Sequence, residues 1–357
     1  MVEHAYIVGT KAEFIKMFPL MKELDGLFIH TGQHDLSDLS KTFKIKEPDL
    51  ILSDPPKGKT SKFMGSTPRA LLWNVSMVKK LTKILKEERP KTFICHGDTM
   101  STASASIAAK RAGIAGVHVE AGLRSHSIWE PFPEEISRKI ADKNCEVLFA
   151  PSKIAGKNLE KYKNKKVYVT GNTSVDSAME ALKKGKNIKV PNEEYAVLSF
   201  HRHENLKNRS KMKRIVEIVE QVPIPTYFFA HDNTVKSLKR FGLWKRINKK
   251  VNAIKFANYV SFIKWLSGSR ILLTDGGSIQ EESLLFKKPC LLLRDRTERV
   301  AGLTTGLNFL TRFDVEFSKQ KISEVLKSDW SAPEFKNPYG ELGVSKKIAD
   351  ILRKNSA

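Results

Sequence analysis

TFICHGDT (residues 92–99) and GVHVEAGLR (residues 116–124) are the two segments that indicate the fold of this chain. Each begins with a short β-rich run and ends abruptly in ionisable side chains, with Asp98 in the first segment and Glu120 in the second. A helix is predicted between them, over residues 101–111, so the pattern is strand, helix, strand. Parallel strands joined by helices bind ligands just beyond their carboxyl ends, where both carboxylates are expected to lie.

A third carboxylate, Glu134, follows after a proline-containing turn, at the start of the next predicted helix. Each of the three also has an ordinary structural interpretation. Asp98 could cap the helix that follows it, Glu120 could pair with Arg124, and Glu134 could form an i, i+4 helix pair with Arg138. Their joint position at the ends of strands and the start of a helix favours a site for proton transfer instead.

Length and composition indicate a globular chain. Its 357 residues are enough for two domains, and the 41% hydrophobic residues allow a sizeable core. No apolar run approaches the roughly 20 residues that span a bilayer, and the N-terminus lacks the apolar segment of a secretory signal. The three cysteines lack metal-like spacing, and Cys95 and Cys290 are predicted to be buried. A reducing cytoplasm is expected.

The charge balance is strongly basic, with 62 Lys and Arg against 39 Asp and Glu and a formal net charge of +23. Such a balance suits nucleic acid, an anionic surface or an anionic small substrate. The sequence contains no zinc finger and no aromatic RNA-binding signature, and its lysines are scattered over predicted helix faces. We interpret the charge as a solvated, lysine-rich surface, and we expect neither nucleic-acid binding nor membrane insertion.

Short strands alternate with amphipathic helices in two series. Strands are predicted at residues 5–8, 27–30, 92–95, 116–119, 147–150 and 167–170, and then at 196–200, 226–230, 271–274 and 290–293. A long loop is predicted over residues 44–64, a long helix over 65–88 and a linker over 183–194. This alternation predicts an α/β fold with two doubly wound parallel sheets, as two Rossmann-like domains that face each other across a cleft.

The loops of the second series are suited to a nucleoside diphosphate. Residues 275–278 open a helix, so the backbone amides there and Ser278 could hold a phosphate, and Glu282 could bind ribose hydroxyls one turn later. His201 and Arg202 follow a strand directly, where cations could neutralise a departing diphosphate. The structural alternatives are a glycine-rich turn with a solvated acidic face and an ordinary surface histidine.

The first strand ends at Gly9, in a turn whose backbone N–H groups could approach an anion at the start of a helix. Lys11 and Lys16 add positive charge there. The chain has no Walker motif, and its first domain has no complete G-x-G-x-x-G with a correctly spaced acidic residue, so a nicotinamide cofactor is disfavoured.

Over nearly its whole length, the chain resembles the non-hydrolysing UDP-N-acetylglucosamine 2-epimerases. The matching motifs are GTKAE (9–13), TGQH (31–34), HGDT (96–99), HVEAGLR (118–124), PEE (133–135), GNT (171–173), HRHEN (201–205), residues 275–282, residues 294–299 and NPYG (337–340). The resemblance implies a GT-B-like fold with a catalytic domain over residues 1–171, a UDP-binding domain over 172–340, and a C-terminal segment, 341–357, that crosses back to the first domain.

The resemblance also implies a reaction. UDP is eliminated in an anti sense as the C2 proton leaves, which gives a glycal, and UDP then adds back so that UDP-GlcNAc becomes UDP-ManNAc. Because the C2 hydrogen is not next to a carbonyl, its removal must be coupled to departure of the diphosphate, and the site needs a base together with an anion-binding group. No metal or other cofactor is implied. A cytoplasmic homodimer serving cell-surface polysaccharide biosynthesis is expected.

Carried over residue by residue, the resemblance assigns acid/base roles to Asp98, Glu120 and Glu134, without an order, and stabilisation of the leaving diphosphate to His201. The expected substrate contacts are Lys11, Lys16, Gln33, His34, Arg138, Arg202, His231, Gly277, Ser278, Glu282 and Arg299. Gln33, His34, Arg69 and His231 fall where bacterial members build the active site or an adjoining regulatory sugar-nucleotide site.

Three departures from the family pattern concern the nucleotide and the sugar. Lys11-Ala12 stands where Arg-Pro is usual, Gly276-Gly277-Ser278 where Ser-Gly-Gly is usual, and Val300-Ala301 where Pro-Glu is usual. Lysine keeps the positive charge of arginine but loses its bidentate fork. The departures leave three alternatives open: an epimerase of a UDP-diacetamido sugar uronate, a hydrolysing epimerase that releases ManNAc and UDP, and a glycosyltransferase.

Overall fold

A computed structural model describes residues 2–53, 68–127, 133–255 and 258–356 of the chain, without the side chains of residues 68–71 and 355–356. Three sequence predictions fall wholly or partly outside this description. They concern the proline-containing turn before Glu134, the side chain of Arg69 and the second half of the loop predicted over residues 44–64.

The polypeptide forms two compact units, Met1–Ser177 with Pro338–Ala357 and Ala178–Asn337. The strands are β1 (His4–Val8), β2 (Leu27–His30), β3 (Leu50–Ile51), β4 (Thr92–His96), β5 (Ala115–Val119), β6 (Val147–Ala150), β7 (Lys166–Val169), β8 (Ala196–Ser199), β9 (Thr226–Ala230), β10 (Val251–Lys255), β11 (Ile271–Thr274), β12 (Cys290–Leu292) and β13 (Asn308–Leu310).

The helices connect these strands. They are α1 (Lys11–Glu23), α2 (Ser37–Phe43), α3 (Pro68–Glu88), α4 (Met100–Ala112), α5 (Glu134–Asn144), α6 (Lys153–Lys157), α7 (Ser174–Lys184), α8 (His203–Leu206), α9 (Arg209–Glu220), α10 (Asp232–Arg240), α11 (Trp244–Asn248), α12 (Tyr259–Gly268), α13 (Gly277–Leu285), α14 (Val300–Leu303), α15 (Val315–Val325) and α16 (Val344–Ser356). No helix in the described ranges has both the length and the hydropathy needed to cross a membrane.

Each unit is built on one parallel sheet, so the predicted α/β class with two Rossmann-like domains is confirmed. The strand order is β3-β2-β1-β4-β5-β6-β7 in the first unit and β10-β9-β8-β11-β12-β13 in the second. The boundary between the units falls within α7, after Ser177, and the polar segment predicted as a linker, residues 183–194, therefore belongs to the second unit.

The cores follow from the apolar strands of the sequence. Strands covered by helices on both faces are buried at every position, as β4 and β5 are almost throughout. Helix α4 contributes small side chains, with Ala105, Ala108 and Ala109 fully buried, so it packs closely onto the sheet of the first unit. Cys95 and Cys290 are buried, as predicted, and so is Cys145.

The C-terminal helix α16 belongs to the first unit, as predicted. Its apolar face, which includes Ile348 and Leu352, is buried, and it packs against α1. Asp176 fixes its start by accepting hydrogen bonds from the backbone N–H groups of Gly343 and Ser345, each at 2.7 Å.

Candidate functional site

The two sheets share one topological feature that locates their sites. In each unit the strand order reverses between two neighbouring strands, β1 and β4 in the first unit and β8 and β11 in the second. Ligands of open α/β sheets bind beyond the carboxyl ends of such a pair. The segments that follow these four strands contain most of the residues singled out from the sequence.

Asp98 lies just beyond β4 and forms an ion pair with Arg138 of α5. The Asp98 side chain is about one-quarter exposed, at 26%, whereas that of Arg138 is only 1% exposed. Thr99, rather than Asp98, caps α4, because its hydroxyl accepts a hydrogen bond from the N–H of Thr102 at 3.2 Å. The carboxylate of Asp98 is therefore held by a charge at the strand end and is not used as a helix cap.

Glu120 lies just beyond β5 and is buried. Its carboxylate pairs with the ammonium group of Lys16 and accepts a hydrogen bond from Asn172 Nδ2 at 2.5 Å. Its φ of 70° is in the left-handed region, which is uncommon for a residue other than glycine and is often found at functional sites. Arg124, the partner considered for Glu120 from the sequence, pairs with Asp142.

His96, the last residue of β4, is buried beside these carboxylates. Burial lowers its pKa to about 3, and Lys16 acts in the same direction, although Glu120 opposes it. Its Nε2 atom has no hydrogen-bond partner among the described residues. His96 is therefore neutral throughout the physiological pH range.

The turn after β1 differs from the expected anion site. Its backbone N–H groups at Gly9 and Thr10 donate to the carboxylate of Glu13, at 2.8 and 2.7 Å. Glu13 also accepts a hydrogen bond from Thr99, at the start of α4. The prediction of an external anion at this turn is therefore wrong for Gly9 and Thr10, because the chain supplies its own carboxylate there.

Three predicted substrate contacts of the first unit cluster around the same turn. The backbone N–H of Lys11 donates to His34 Nδ1 at 3.2 Å, and Gln33 Oε1 accepts a hydrogen bond from Ser101 at 3.3 Å. A Cβ atom at Gly9 would lie 2.6 Å from both Gln33 Oε1 and Ser101 Oγ. Glycine is thus required where β1, β2 and α4 converge.

Glu134 is the first residue of α5 and is partly buried. Arg138 and Asp142 follow at four-residue intervals on the same helix, so the three side chains share one face. That face meets the ends of β4 and β5, since Arg138 pairs with Asp98, and Asp142 with His118 of β5. One helix face therefore links Glu134 to the positions of both other carboxylates.

In the second unit, Asp275 joins the two strands of the switch point. It is fully buried and accepts hydrogen bonds from the backbone N–H groups of His201 and Arg202, both at 2.9 Å. Asn205 Nδ2 donates to the same carboxylate at 2.9 Å. Asp275 therefore fixes the HRHEN segment at the end of β8 and does not cap α13.

His201 and His231 lie side by side, with ring centroids 4.6 Å apart. The His201 side chain is about half exposed, at 47%. Burial and the neighbouring His201 lower the pKa of His231 to about 4. The structure thus brings together two histidines that are 30 positions apart in sequence, one of them accessible and the other kept neutral.

A buried carboxylate, Glu298, collects three arginines. It accepts hydrogen bonds from Arg299 and, at 2.8 Å, from Arg294, and it lies 3.7 Å from Arg202 Nη2. Arg299 Nη1 would be only 2.7 Å from a Cβ atom at Gly277, so it lies directly over the start of α13. This concentration of guanidinium groups at a helix N-terminus is a favourable environment for a phosphate.

The predicted ribose contact also has a defined partner. Glu282, one turn beyond the partly exposed Ser278, is buried and accepts a hydrogen bond from Tyr259 Oη at 2.8 Å. Because burial and the carboxylate raise the pKa of Tyr259, the phenol stays protonated and donates to Glu282.

Sequence reasoning missed the supporting residues of both sites. Glu13, Asp142, Glu281, Glu298 and Tyr259 each bond to a residue named above. Their partners are distant in sequence in several cases, for example Glu13 and Thr99, and no local motif marks such pairs. The one available signal was the spacing of Arg138 and Asp142, four residues apart on an amphipathic helix.

Comparisons with known proteins agree with this geometry. A sequence model of the family described as UDP-N-acetylglucosamine 2-epimerase matches residues 20–353. The UDP-N-acetylglucosamine 2-epimerase of Methanocaldococcus jannaschii is 34% identical, over 97% of each chain. That of Bacillus subtilis is 33% identical, over 97% of this chain and 93% of its own.

A solved structure is similar over the same length. The crystal structure of Methanocaldococcus jannaschii UDP-GlcNAc 2-epimerase in complex with UDP-GlcNAc and UDP matches with a TM-score of 0.83 and 30% identity, over 99% of each chain. The predicted GT-B-like fold class and the predicted family are both confirmed. The chain belongs to the UDP-N-acetylglucosamine 2-epimerase family.

Proposed function

We propose that this chain is a non-hydrolysing UDP-N-acetylglucosamine 2-epimerase that interconverts UDP-GlcNAc and UDP-ManNAc. The observation that carries the proposal is the pair of cation-held carboxylates at neighbouring strand ends, Asp98 with Arg138 and Glu120 with Lys16. Inversion at C2 removes a proton from one face of the sugar and returns one to the other, which requires more than one acid/base group.

The first unit carries the proton transfers. One carboxylate among Asp98, Glu120 and Glu134 takes the C2 proton while the bond between C1 and the diphosphate oxygen breaks. The electron pair of the C2–H bond forms the C1=C2 double bond of the glycal, and UDP leaves with the electrons of the C1–O bond. Re-addition of UDP, with a proton delivered to the opposite face of C2, gives the epimer.

The second unit binds UDP. Gly277 and Ser278 at the start of α13 hold a phosphate with Arg299, and Glu282 binds the ribose. His201 and Arg202 stabilise the charge of the departing diphosphate, because positive groups placed where negative charge develops lower the barrier. His231 orients His201, since their rings are in contact.

Further substrate contacts belong to the first unit. Lys11, Gln33 and His34 surround the turn after β1 and contact the sugar or its phosphates. We place the functional boundaries at residues 1–171 for proton transfer, 172–340 for UDP binding and 341–357 for the returning C-terminal segment. A cytoplasmic homodimer that supplies an N-acetylmannosamine donor for cell-surface polysaccharide is part of the same proposal.

Incubation with UDP-GlcNAc in deuterated water tests the reaction. The expected result is UDP-ManNAc together with deuterium at C2 of both sugars, detected by NMR and mass spectrometry. If neither UDP-GlcNAc nor a UDP-diacetamido sugar uronate gains deuterium at C2, the proposal is wrong.

Product analysis in the same reaction separates the alternatives. Free ManNAc and UDP as the only products would identify a hydrolysing epimerase. Exchange with the diacetamido uronate alone would keep the reaction but change the substrate. A product formed only when an acceptor sugar is added would identify a glycosyltransferase.

A further inference from the structure

The first unit contains a buried histidine that the proposed reaction does not use. His118, on β5, has no exposed surface. Its Nδ1 atom lies 2.8 Å from Asp142 Oδ1, and its Nε2 atom lies 2.7 Å from the carbonyl oxygen of Gly97. Both ring nitrogens are thus within hydrogen-bond distance of an oxygen.

The identity of these oxygens determines where the protons are. A backbone carbonyl only accepts hydrogen bonds, so Nε2 carries a hydrogen. Asp142 also pairs with Arg124, whose guanidinium group remains charged and only donates, and this keeps Asp142 ionised. An ionised carboxylate only accepts, so Nδ1 carries a hydrogen as well. With hydrogens on both nitrogens, His118 is an imidazolium cation.

The local charge balance supports the same state. Leaving aside the half-exposed Lys139, ion pairs and hydrogen bonds connect six ionisable side chains around His118. They are Arg124, His118, Arg138, Asp98, Glu135 and Asp142. A protonated His118 gives equal numbers of cations and anions, whereas a neutral ring would leave a surplus negative charge in a region that excludes water, which is costly.

Other titratable groups also face this ring. His96 and Cys95 approach from β4, Cys145 from the end of α5, and Tyr162 lies near Asp142. Burial by itself lowers the pKa of His118, but the hydrogen bond and charge of Asp142 outweigh it and raise that pKa above its ordinary value. The pKa of His96 is lowered, so the two histidines carry opposite protonation states.

The hydrogen bond to Gly97 fixes the residue that precedes Asp98. Gly97 has a φ of 73°, and its N–H donates to the carbonyl oxygen of Val119 at 2.9 Å. With His118 on its carbonyl oxygen, both backbone polar groups of Gly97 are bound to β5. The next side chain, Asp98, is bound in turn by Arg138, one helical turn before Asp142 on α5.

We propose that His118 is a positioning residue, held as an imidazolium between Asp142 and the Gly97 carbonyl, that fixes the Gly97 peptide and thereby the direction of the Asp98 carboxylate. Its kinetic consequence rests on the proposed function, in which Asp98 transfers a proton. Its protonation state and its hold on Gly97 do not.

NMR of the full-length protein labelled with ¹⁵N-histidine tests the protonation state without substrate. The chain has nine histidines, and a His118→Gln variant assigns the signal. We expect one ring with two slowly exchanging N–H protons and imidazolium nitrogen shifts that persist to about pH 8.5, where ordinary histidines are neutral. A single ring proton on His118 near pH 7 would overturn the proposal.

Hydrogen–deuterium exchange tests the hold on Gly97. In His118→Gln the amides of residues 96–99 should exchange at least ~10-fold faster, because the carbonyl of Gly97 loses a charged donor. His4→Gln is the matched control, since His4 is also buried on this sheet and bonds to Thr92 at 2.8 Å, at the opposite end of β4. Unchanged exchange at residues 96–99 in His118→Gln would contradict the proposal.

Steady-state kinetics then test the consequence for Asp98. His118→Gln should lower kcat about 100-fold, the usual effect of a small misplacement of a catalytic group, with KM within about threefold of wild type. His4→Gln should keep both constants. Asp142→Asn serves if His118→Gln does not fold, and it should lower the pH at which the His118 ring loses a proton. A KM effect as large as the kcat effect would assign His118 a purely structural role.

If the wild-type chain epimerises no UDP-sugar, the proposed function is wrong, and the NMR and exchange measurements still decide the state of His118 and its hold on Gly97. If the chain is an epimerase but the His118 ring is neutral, only the positioning proposal fails.

Discussion

At the scale of single residues, Asp98 and Glu120 differ in how their charge is stabilised. Asp98 is partly exposed and is held by one arginine, whereas Glu120 is buried between Lys16 and Asn172. Both keep a cation beside the carboxylate, which favours the ionised form of an acid. Neither side chain contacts the second unit's proposed UDP-binding residues in the described hydrogen bonds, so proton transfer and nucleotide binding can be separated by mutation.

Replacing Asp98 with Asn or Glu120 with Gln should abolish proton transfer and leave UDP binding nearly intact. We expect kcat to fall by about 10³-fold or more, the scale of a lost general acid or base. UDP affinity, measured by calorimetry, should stay within a few-fold of wild type. Loss of UDP binding in both variants would assign a structural role to these carboxylates.

His96 should make the folded chain less stable in mild acid. Its pKa is about 3 when folded and about 6.5 when unfolded. Between these values the unfolded chain binds a proton that the folded chain does not, so the free energy of unfolding falls as the pH falls below 6.5. From neutral pH to about pH 5 this residue should cost about 2 kcal/mol.

Urea unfolding of wild type and His96→Gln at both pH values measures this effect. The wild type should lose more stability on acidification than the variant, by about 2 kcal/mol. The other histidines with lowered pKa remain in both proteins and cancel in the comparison. Equal losses in the two proteins would show that His96 is not kept neutral by the fold.

The candidate residues could be named from the sequence because they end strands, and strand ends are readable from local apolar runs. Their partners could not. Nothing local to Glu120 indicates Asn172, and nothing local to Glu13 indicates that its carboxylate binds the amides of Gly9 and Thr10. The distinction between Asp98 and Thr99 as helix cap likewise depended on Arg138, which lies 40 residues away.

At the scale of elements, the predicted central strands are confirmed and the edge strands were missed. All predicted strands form, within about one residue of the predicted bounds. The strands that were missed, β3, β10 and β13, lie at sheet edges. β3 and β13 are only two and three residues long, and β10 has three exposed positions out of five without a regular alternation. A short or half-solvated edge lacks the apolar run that marks a buried strand.

The connection from β5 to α6 should be intolerant of a single methyl group. Gly122 has a φ of 80°, and a Cβ atom there would lie 2.3 Å from the carbonyl oxygen of Ala155 in α6. Gly113 has a similar φ of 72° with nothing within 4 Å of its Cβ position. Gly113→Ala should therefore cost about 1 kcal/mol from backbone strain alone, and Gly122→Ala about 2 kcal/mol more from the clash.

Chemical denaturation of the two glycine variants measures the difference, with Gly113→Ala as the matched control for backbone strain. Because Gly122 lies two residues after Glu120, epimerase activity should also fall in Gly122→Ala and persist in Gly113→Ala. Equal stability of the two variants would mean that α6 moves away from this loop without cost.

At the scale of the whole molecule, the first unit is assembled from both ends of the chain. Asn172, whose side chain bonds to Glu120, donates its backbone N–H to Tyr339 at 2.8 Å. The NPYG motif at residues 337–340 therefore supports a carboxylate more than 200 positions away in sequence. The resemblance to a known family indicated this return of the chain, whereas composition and periodicity alone did not.

A cavity beneath α16 should destabilise the first unit selectively. Leu352 is 1% exposed on the face of α16 that packs into this unit. Leu352→Ala should cost about 3 kcal/mol, as large-to-small core substitutions do. The second unit, Ala178–Asn337, has its own sheet and core, so its intrinsic stability should change little.

Hydrogen–deuterium exchange with mass spectrometry resolves the two units in one experiment. In Leu352→Ala, strands β1, β4 and β5 should exchange faster, while β8 and β11 keep their wild-type protection. The exposed Lys354, two residues later on α16, supplies the control, and Lys354→Ala should stay within about 0.5 kcal/mol of wild type. A uniform loss of protection across both sheets would instead mean that the chain unfolds as one cooperative whole, so that the C-terminal helix stabilises the proposed UDP-binding unit as much as the proposed proton-transfer unit.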